Sequence, residues 1–191
     1  MSLDINRIKG SIVALVTPMD GYITPYTAID EDSIKPLVEF HIENETNAIV
    51  VVGTTGESAT LTSEEHCNMI TNVVDAVDGR IPVIAGTGSN STHEAIFLTK
   101  EAKIRGADAA LIVTPYYNKP TQKGLYEHFK TIAEKTNIPI IIYNIPGRSI
   151  VDMSVETMIE LSKIKNIIGV KDATNDLFRP LLTRKKMQSD F

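Results

Sequence analysis

The sequence lacks features that mark several protein classes. It has no tryptophan and a single cysteine, Cys67, so no intramolecular disulfide can form, which suits a reducing cytoplasm. Cys67 lies in a helical pattern, which predicts a packed thiol. The four histidines lie far apart in the sequence and form no local pair of the kind that binds a metal, so no metal site is expected.

Excess positive charge and long apolar runs are also missing. The formal net charge of −5 argues against a nucleic-acid-binding surface, which needs an excess of lysine and arginine. No apolar run approaches the roughly 18 residues of a membrane span. The first apolar stretch covers only Ile12 to Val16, and Pro18 follows it, which is unlike a signal peptide. We expect neither nucleic acid nor a membrane as a partner.

Short apolar segments alternate with longer amphipathic segments. The apolar segments are rich in β-branched residues, as parallel strands buried on both faces are. They span residues 11–16, 48–52, 82–86, 109–114, 139–143 and 167–171. The amphipathic segments predict helices, the second capped by Thr62 or Ser63. They span residues 30–44, 62–77, 91–106, 121–136 and 154–164. This alternation predicts right-handed βαβ units and an α/β protein with a parallel sheet.

Two α/β architectures fit this alternation: an open doubly wound sheet and a (β/α)₈ TIM barrel. A doubly wound nucleotide-binding sheet usually has a glycine fingerprint after its first strand, and the segment TPMDGYITPY at that place lacks it. The segment GTGSNS, residues 86–91, is a weak match that is better explained as a turn into a helix capped by Ser91. Polar residues follow the strand ends, where barrel enzymes form their sites, so the barrel is favoured.

The predicted barrel has fewer strands than closure requires. Six strands are expected, whereas a closed barrel has eight and takes about 250 residues. We therefore expect a single, partial barrel domain over residues 1–191, truncated after about six βα units. Residues 175–191 are expected to form an incomplete sixth helix and an irregular tail.

A lysine ends the sixth predicted strand, in the segment NIIGVKDAT at residues 166–174. Partial desolvation at the end of an apolar strand lowers the pKa of an ammonium group, and the neutral amine attacks carbonyl carbon. One interpretation of Lys171 is therefore a Schiff-base nucleophile. The other is a surface lysine paired with Asp172 or another acid, and the motif alone slightly favours this second interpretation.

Other strand ends carry residues that suit carbonyl chemistry. Tyr143 ends the fifth apolar segment as a possible proton donor or acceptor, and Arg148 follows a Pro-Gly turn and can bind a carboxylate. Thr54 and Thr55 lie between glycines, where the N–H groups of a turn can bind a carboxylate. Each motif alone also fits an ordinary structural role. Together they indicate aldol-type chemistry on a 2-keto acid.

Four motifs resemble one known family in order and spacing. They are GTTGESATL, TPYYNKPTQKGLYEHF, YNIPGR and GVKDAT, and the resemblance runs from about Gly10 to about Thr183. On these motifs the chain is identified as a member of the 4-hydroxy-tetrahydrodipicolinate synthase (dihydrodipicolinate synthase) family of pyruvate-dependent class I aldolases. The resemblance implies a barrel lyase of diaminopimelate and lysine biosynthesis that condenses pyruvate with L-aspartate 4-semialdehyde.

The resemblance also implies roles for residues and an assembly. Lys171 forms the imine with pyruvate, and Thr55 holds the pyruvate carboxylate. Tyr143 donates and accepts protons and is linked to Thr54 and to Tyr117, the latter supplied across a dimer interface. No metal or organic cofactor is implied, and the family is usually a homotetramer, a dimer of dimers.

Arg148 is implied to receive the semialdehyde. This arginine and the two threonines of GTTGE favour a synthase over an N-acetylneuraminate lyase-like aldolase, which is one alternative. A second alternative is a truncated form with impaired or no catalysis.

Many synthases bind lysine between subunits as a feedback inhibitor, and the resemblance implies such a site here. The residues that match its pattern are Ser58, Ala59, His66, Asn90, Glu94 and Tyr116. Position 63 is serine, where some members have histidine.

Overall fold

The computed structural model describes residues 7–24 and 26–187. Strands and helices alternate there as the sequence predicts. The strands are β1 (Ile12–Ala14), β2 (Ala48–Val51), β3 (Val83–Gly86), β4 (Ala109–Val113), β5 (Ile140–Asn144) and β6 (Ile167–Asp172). The helices are α1 (Ile34–Glu43), α2 (Ser63–Val77), α3 (Thr92–Ile104), α4 (Gln122–Thr136), α5 (Pro146–Ser149), α6 (Val155–Ser162) and α7 (Phe178–Lys186).

These elements group into two compact units. The first comprises the described residues up to Gly86 together with Glu101–Ala109. The second comprises Thr87–Lys100 and the described residues from Ala110 onward. The single-domain organisation expected from the sequence stays a prediction.

The first unit is built on three parallel strands in chain order. β1 pairs with β2, with Ile12 opposite Ala48, and β2 pairs with β3, with Ile49 opposite Val83. Their apolar side chains form one buried cluster with α1 and α2, to which Val38 and Ile70 contribute. Burial of such side chains stabilises a fold by about 25 cal/mol per Å² of apolar surface removed from water.

The start of α2 confirms one of the two capping residues considered. Thr62 is the N-cap, and its hydroxyl accepts a hydrogen bond from the Glu65 N–H at 3.2 Å. The Glu65 carboxylate accepts one from the Thr62 N–H at 2.8 Å, which completes a capping box. Cys67 lies buried in the same helix, as predicted, and burial raises the pKa of its thiol.

The second unit also has three parallel strands in chain order. β4 pairs with β5, with Ala110 opposite Ile140, and β5 pairs with β6. A buried cluster that includes Phe129 and Ile132 of α4 packs on them. Neither unit shows the reversal of strand order that marks a doubly wound sheet, which agrees with the barrel prediction.

Two further predictions concern the ends of helices in this unit. The Ser91 hydroxyl accepts a hydrogen bond from the Glu94 N–H at 3.4 Å, so the turn before α3 ends in the predicted cap. α7 provides a helix within residues 175–191, where an incomplete one was expected. The last part of the expected tail, residues 188–191, lies outside the described residues.

Candidate active site

The ends of β5 and β6 bring the two principal candidates together. Tyr143 lies opposite Lys171 in the register of the two strands. The Lys171 Nζ is 4.3 Å from the centroid of the Tyr143 ring, within the range of a cation–π contact. Tyr143 is only 7% exposed, so its ring is held by the surrounding side chains beside the amine.

An irregularity in the pairing of these strands creates this alignment. Ile140 lies opposite Ile167, but the next residue, Ile141, lies opposite Gly169, so β6 contains one extra residue. Without it, Val170 would face Tyr143, and a one-residue slip turns every later side chain to the other face. Irregularities of this kind are common beside active sites, where they redirect a side chain.

The protein around Lys171 lowers the pKa of its ammonium group, and the cause is desolvation by burial. The side chain itself is still exposed in this structure. The lowered pKa therefore favours the neutral amine while the group remains accessible to a small carbonyl compound.

Asp172 does not pair with Lys171. The interpretation of Lys171 as a surface lysine paired with Asp172 is therefore wrong. The Asp172 carboxylate lies 3.2 Å from the Nε of Arg179, and the two side chains are 9% and 12% exposed. Within residues 7–24 and 26–187, no ion pair involves Lys171.

Arg179 joins a partly buried polar network that the sequence did not reveal, in which the side chain of Asp152 is 48% exposed. Its Nη1 donates to both oxygens of Asp152, at 2.7 and 2.9 Å, and its Nη2 donates to the carbonyl of Met153. The Asn144 Nδ2 donates to Asp152 at 2.9 Å and to Asp172 at 3.5 Å. The only sequence signals were an asparagine within YNIPGR and an arginine inside an apolar helical pattern.

Hydrogen bonds also support the strand that carries Tyr143. The Thr114 N–H donates to the Tyr143 carbonyl at 2.9 Å. The buried Thr114 hydroxyl donates to the Ser149 hydroxyl at 3.1 Å, and the carbonyls of Ile145 and Val151, each 3.0 Å from the Ser149 Oγ, share its single proton. The hydroxyl groups of Thr114 and Ser149 are thus satisfied close to Tyr143.

Arg148 lies on a short helix, where the sequence predicted a Pro-Gly turn. α5 begins with Pro146, whose fixed φ and missing N–H suit the first position of a helix. Arg148 is exposed, and its side chain forms no ion pair with any residue that the structure describes. Its guanidinium is available to an incoming carboxylate.

Tyr116 and Tyr117 follow β4 in the same unit. Tyr117 is 86% exposed and has a left-handed backbone φ of 73°. An exposed aromatic residue held in an uncommon backbone conformation is frequently part of a functional loop. Tyr116 is half-buried.

The two candidate threonines lie in the first unit. Thr54 and Thr55 are exposed in the turn after β2, and the Thr54 carbonyl accepts a hydrogen bond from the Glu57 N–H at 3.1 Å. Gly56 anchors this turn, because its carbonyl accepts a hydrogen bond from the buried Thr17 hydroxyl at 2.7 Å.

The residues that match a lysine site are distributed over both units. Ser58 and Ala59 form part of a 3-10 helix, and His66 is buried in α2. In the second unit, the Asn90 carbonyl accepts a hydrogen bond from Asn118 at 3.2 Å, and Glu94 accepts one from the Ser89 hydroxyl.

Among the described residues, no group of three or more histidine, cysteine or acidic side chains is arranged to hold a metal ion. In the same residues, no helix combines the length and apolarity needed to cross a membrane.

Comparison with known proteins identifies the family. The model of the dihydrodipicolinate synthetase family matches residues 7–191. A 4-hydroxy-tetrahydrodipicolinate synthase of Stutzerimonas stutzeri is 59% identical over 96% of this chain. The chain spans 62% of the length of that relative.

Solved structures show the same relationship. The dihydrodipicolinate synthase of Acinetobacter baumannii, crystallised with pyruvate, has a TM-score of 0.88 and 56% identity over 93% of this chain and 60% of its own. The enzyme of Cyanidioschyzon merolae with lysine bound has a TM-score of 0.89 and 42% identity over 95% of this chain and 61% of its own. The predicted fold class, part of a (β/α)₈ barrel, is confirmed. The chain belongs to the dihydrodipicolinate synthetase family.

Proposed function

We propose that the chain carries the pyruvate-activating residues of a 4-hydroxy-tetrahydrodipicolinate synthase, a class I lyase. The observation that supports this most directly is the accessible Lys171 amine, 4.3 Å from the buried ring of Tyr143 and free of an ion pair among the described residues. The name of the Stutzerimonas relative and the pyruvate complex of the Acinetobacter enzyme support the same activity.

In this proposal Lys171 is the nucleophile. Its neutral amine attacks the C2 carbonyl carbon of pyruvate, and the resulting carbinolamine loses water to give an imine. Loss of a proton from the methyl carbon gives the enamine, which attacks the aldehyde carbon of L-aspartate 4-semialdehyde. The amino group of the semialdehyde portion then attacks the imine carbon, which closes the ring and releases the Lys171 amine. The lowered pKa of Lys171 increases the fraction of neutral amine that starts this sequence.

Tyr143 supplies and removes the protons of these steps. Its phenol is part of a buried side chain beside the amine, and general acid–base catalysis requires a proton donor at that position. We assign Thr54 and Tyr117 to the same proton relay, with Tyr117 contributed by a partner subunit. The high exposure of Tyr117 in a single chain fits a residue that is covered on assembly.

Two residues bind the carboxylates of the substrates. Thr55 lies in an exposed turn between glycines and binds the pyruvate carboxylate. Arg148 is exposed on α5 and binds the carboxylate of the semialdehyde through its planar guanidinium.

The remaining assignments follow the family. The proposed assembly is a homotetramer, a dimer of dimers in the cytoplasm, and the reaction requires no metal or organic cofactor. Lysine inhibits it at Ser58, Ala59 and His66 together with Asn90, Glu94 and Tyr116. The lysine-bound Cyanidioschyzon enzyme supports such a site.

Borohydride trapping tests the nucleophile. We expect pyruvate and sodium borohydride to add one reduced pyruvyl group to the full chain, located on Lys171 by peptide mapping. Lys171→Ala abolishes the adduct, whereas Lys165→Ala, which removes an exposed lysine just before β6, leaves it unchanged. A folded wild-type chain that forms no adduct on Lys171 contradicts the proposal.

Turnover is tested separately, because the chain spans 62% of the Stutzerimonas relative. Condensation with L-aspartate 4-semialdehyde is compared with cleavage of N-acetylneuraminate, and we expect only the first. Tyr143→Phe is expected to retain imine formation but to lower turnover by about 100-fold or more, as loss of a general acid–base group does.

A further inference from the structure

We propose that Arg179 is a positioning residue for Lys171: it binds Asp172 and Asp152, which compensates the charge of the carboxylate next to Lys171 in sequence and fixes the ends of β5 and β6. The inference rests on the proposed function, in which Lys171 is the nucleophile. The Arg179 side chain binds Asp152, Met153 and Asp172, and within residues 7–24 and 26–187 it forms no hydrogen bond or ion pair with Lys171.

The network of Arg179, Asp152, Asp172 and Asn144 lies next to the Tyr143–Lys171 pair along β5 and β6. Asn144 lies opposite Asp172, one residue after the Tyr143–Lys171 pair. Side chains alternate between the faces of a strand, so Asn144 and Asp172 lie on the face opposite to Tyr143 and Lys171. The Asn144 carbonyl also accepts a hydrogen bond from the Ala173 N–H at 2.8 Å, which continues the pairing beyond Asp172.

The same contacts hold the register that aligns the amine with the phenol. Lys171 lies opposite Tyr143 because β6 contains one extra residue after Ile167. Asp172 is anchored from α7 by Arg179, at 3.2 Å, and Asn144 is anchored through Asp152, at 2.9 Å. A slip of one residue would break both anchors, so the network stabilises the register in which Lys171 faces Tyr143.

The charges explain why Arg179 matters to Lys171. Burial alone would oppose a charge on the Arg179 guanidinium, but the hydrogen bond to Asp152 and the charges of Asp172, Asp152 and Asp176 raise its pKa. Arg179 therefore stays charged and compensates Asp172. An uncompensated carboxylate on the residue next to Lys171 would favour the ammonium form and raise its pKa.

Other charged or titratable groups in this unit complete the electrostatic surroundings of Lys171. Glu156 of α6 is already paired with Lys186 of α7 at 3.0 Å. The other groups on the elements around β6 are Tyr143 on β5, Asp172 on β6, Glu160 of α6 with Asp152 and Lys163 beside that helix, and Arg179, Arg184 and Lys185 of α7 with Asp176 before it. Among them, Asp172 is adjacent in sequence to Lys171, so its compensation has the most direct effect.

Competitive labelling of the full chain with a limiting amine-acylating reagent measures the pKa of Lys171 without pyruvate. The labelling of Lys171 is followed against pH by mass spectrometry. We expect Arg179→Met to raise the midpoint by about half to one pH unit, as one uncompensated charge near a partly exposed group does. The double variant Arg179→Met/Asp172→Asn is expected to restore the wild-type midpoint, because it removes both charges.

Two further variants make the test specific. Arg179→Lys keeps the positive charge and is expected to keep the wild-type midpoint. Arg80→Met removes an arginine that binds Glu39 through two hydrogen bonds in the first unit, and it is expected to leave the midpoint unchanged. If Arg179→Met does not fold, as judged by circular dichroism, Arg179→Gln takes its place with the same expected shift.

The rate of borohydride trapping then links the shift to catalysis. Below the midpoint, we expect Arg179→Met to slow imine formation about three- to tenfold, in proportion to the lost neutral amine, with little change in the pyruvate concentration at half-maximal rate. An unchanged labelling midpoint in a folded Arg179→Met or Arg179→Gln chain overturns the inference, as does a double variant that stays shifted. A wild-type chain that is labelled but never trapped contradicts the proposed function and leaves the labelling result intact.

Discussion

The two units differ in what they bury. In the first, the buried polar side chains of the described residues are Thr17 and His66. In the second they are Thr87, Ser89, Thr99, Thr114, His128, Thr136, Asn144, Ser149, Thr157 and Thr183. The second unit also holds Tyr143 and Lys171. Buried polar groups must be hydrogen-bonded to be tolerated, so the unit that contains the candidate nucleophile depends more on specific hydrogen-bond geometry.

The two units also differ in how far the ion pair of one arginine in each is exposed. Arg80 binds Glu39 through two hydrogen bonds, but its side chain is 40% exposed. Arg179 binds Asp152 and Asp172 with a side chain that is 12% exposed. Exposed ion pairs contribute little to stability, whereas removing one partner of a buried pair leaves an uncompensated charge.

The largest expected effect comes from breaking the partly buried network. We expect Arg179→Met to lower the free energy of unfolding by about 3–5 kcal/mol, because Asp172 then stays buried without its partner. Urea unfolding followed by circular dichroism measures the change. Arg80→Met, the matched change in the first unit, is expected to cost much less, because Arg80 is exposed and its replacement removes the ion pair with Glu39 and hydrogen bonds to two backbone carbonyls of α2. Equal losses in the two variants would contradict the distinction between the units.

A buried histidine makes the second unit sensitive to acid. His128 is buried, its Nδ1 lies 2.8 Å from the Thr92 hydroxyl, and desolvation lowers its pKa to about 4. In the unfolded chain the His128 imidazole takes up a proton near pH 6.5, whereas in the folded chain it does so only near pH 4. The contribution of the neutral imidazole to the stability of the fold is therefore complete above pH 6.5 and is lost as the pH falls toward 4. We expect His128 to account for a loss of about 2 kcal/mol between pH 7 and pH 5, measured by urea unfolding.

Variants isolate this contribution. His128→Gln should make the stability less dependent on pH in this range, whatever its effect at pH 7. His93→Gln changes an exposed histidine on α3 and should leave the dependence as in the wild type. An unchanged pH dependence in His128→Gln would assign the acid sensitivity to another group.

The smallest expected effects come from changes to the N-terminal caps of two helices, one in each unit. Thr62 begins α2 with a full capping box, whereas Thr121 begins α4 and accepts only the Gly124 N–H, at 3.2 Å. We expect Thr62→Ala to cost about 1 kcal/mol and Thr121→Ala about half of that, because Gly124 has no side chain to complete a box. Thermal unfolding midpoints measure both, and a larger loss for Thr121→Ala would contradict the expectation.

Local patterns predicted the elements well. The six apolar segments all contain strands and the five amphipathic segments all contain helices, because buried parallel strands and amphipathic helices have distinct periodicities. The prediction failed at α5, where a proline and a glycine suggested a turn. Pro146 instead occupies the first position of a short helix, the one place in a helix that favours proline.

The candidate site was predicted in part. Lys171 and Tyr143 were recognisable because each ends an apolar strand and each has a chemical function that suits carbonyl addition. One of the two interpretations of Lys171 paired it with Asp172 or another acid, and the pairing with Asp172 is wrong. On a strand, adjacent side chains point to opposite faces, and Asp172 instead meets Arg179 from α7.

The sequence by itself determined the order of strands and helices, the resemblance to the family, and the residues capable of the chemistry. These follow from periodicity and from motifs that are local in the chain. Only the tertiary structure decided that β6 gains a residue against β5, so that Lys171 faces Tyr143, and that Arg179 compensates Asp172. Both depend on contacts between segments distant in sequence, whose geometry is set by packing and hydrogen bonding of the folded chain.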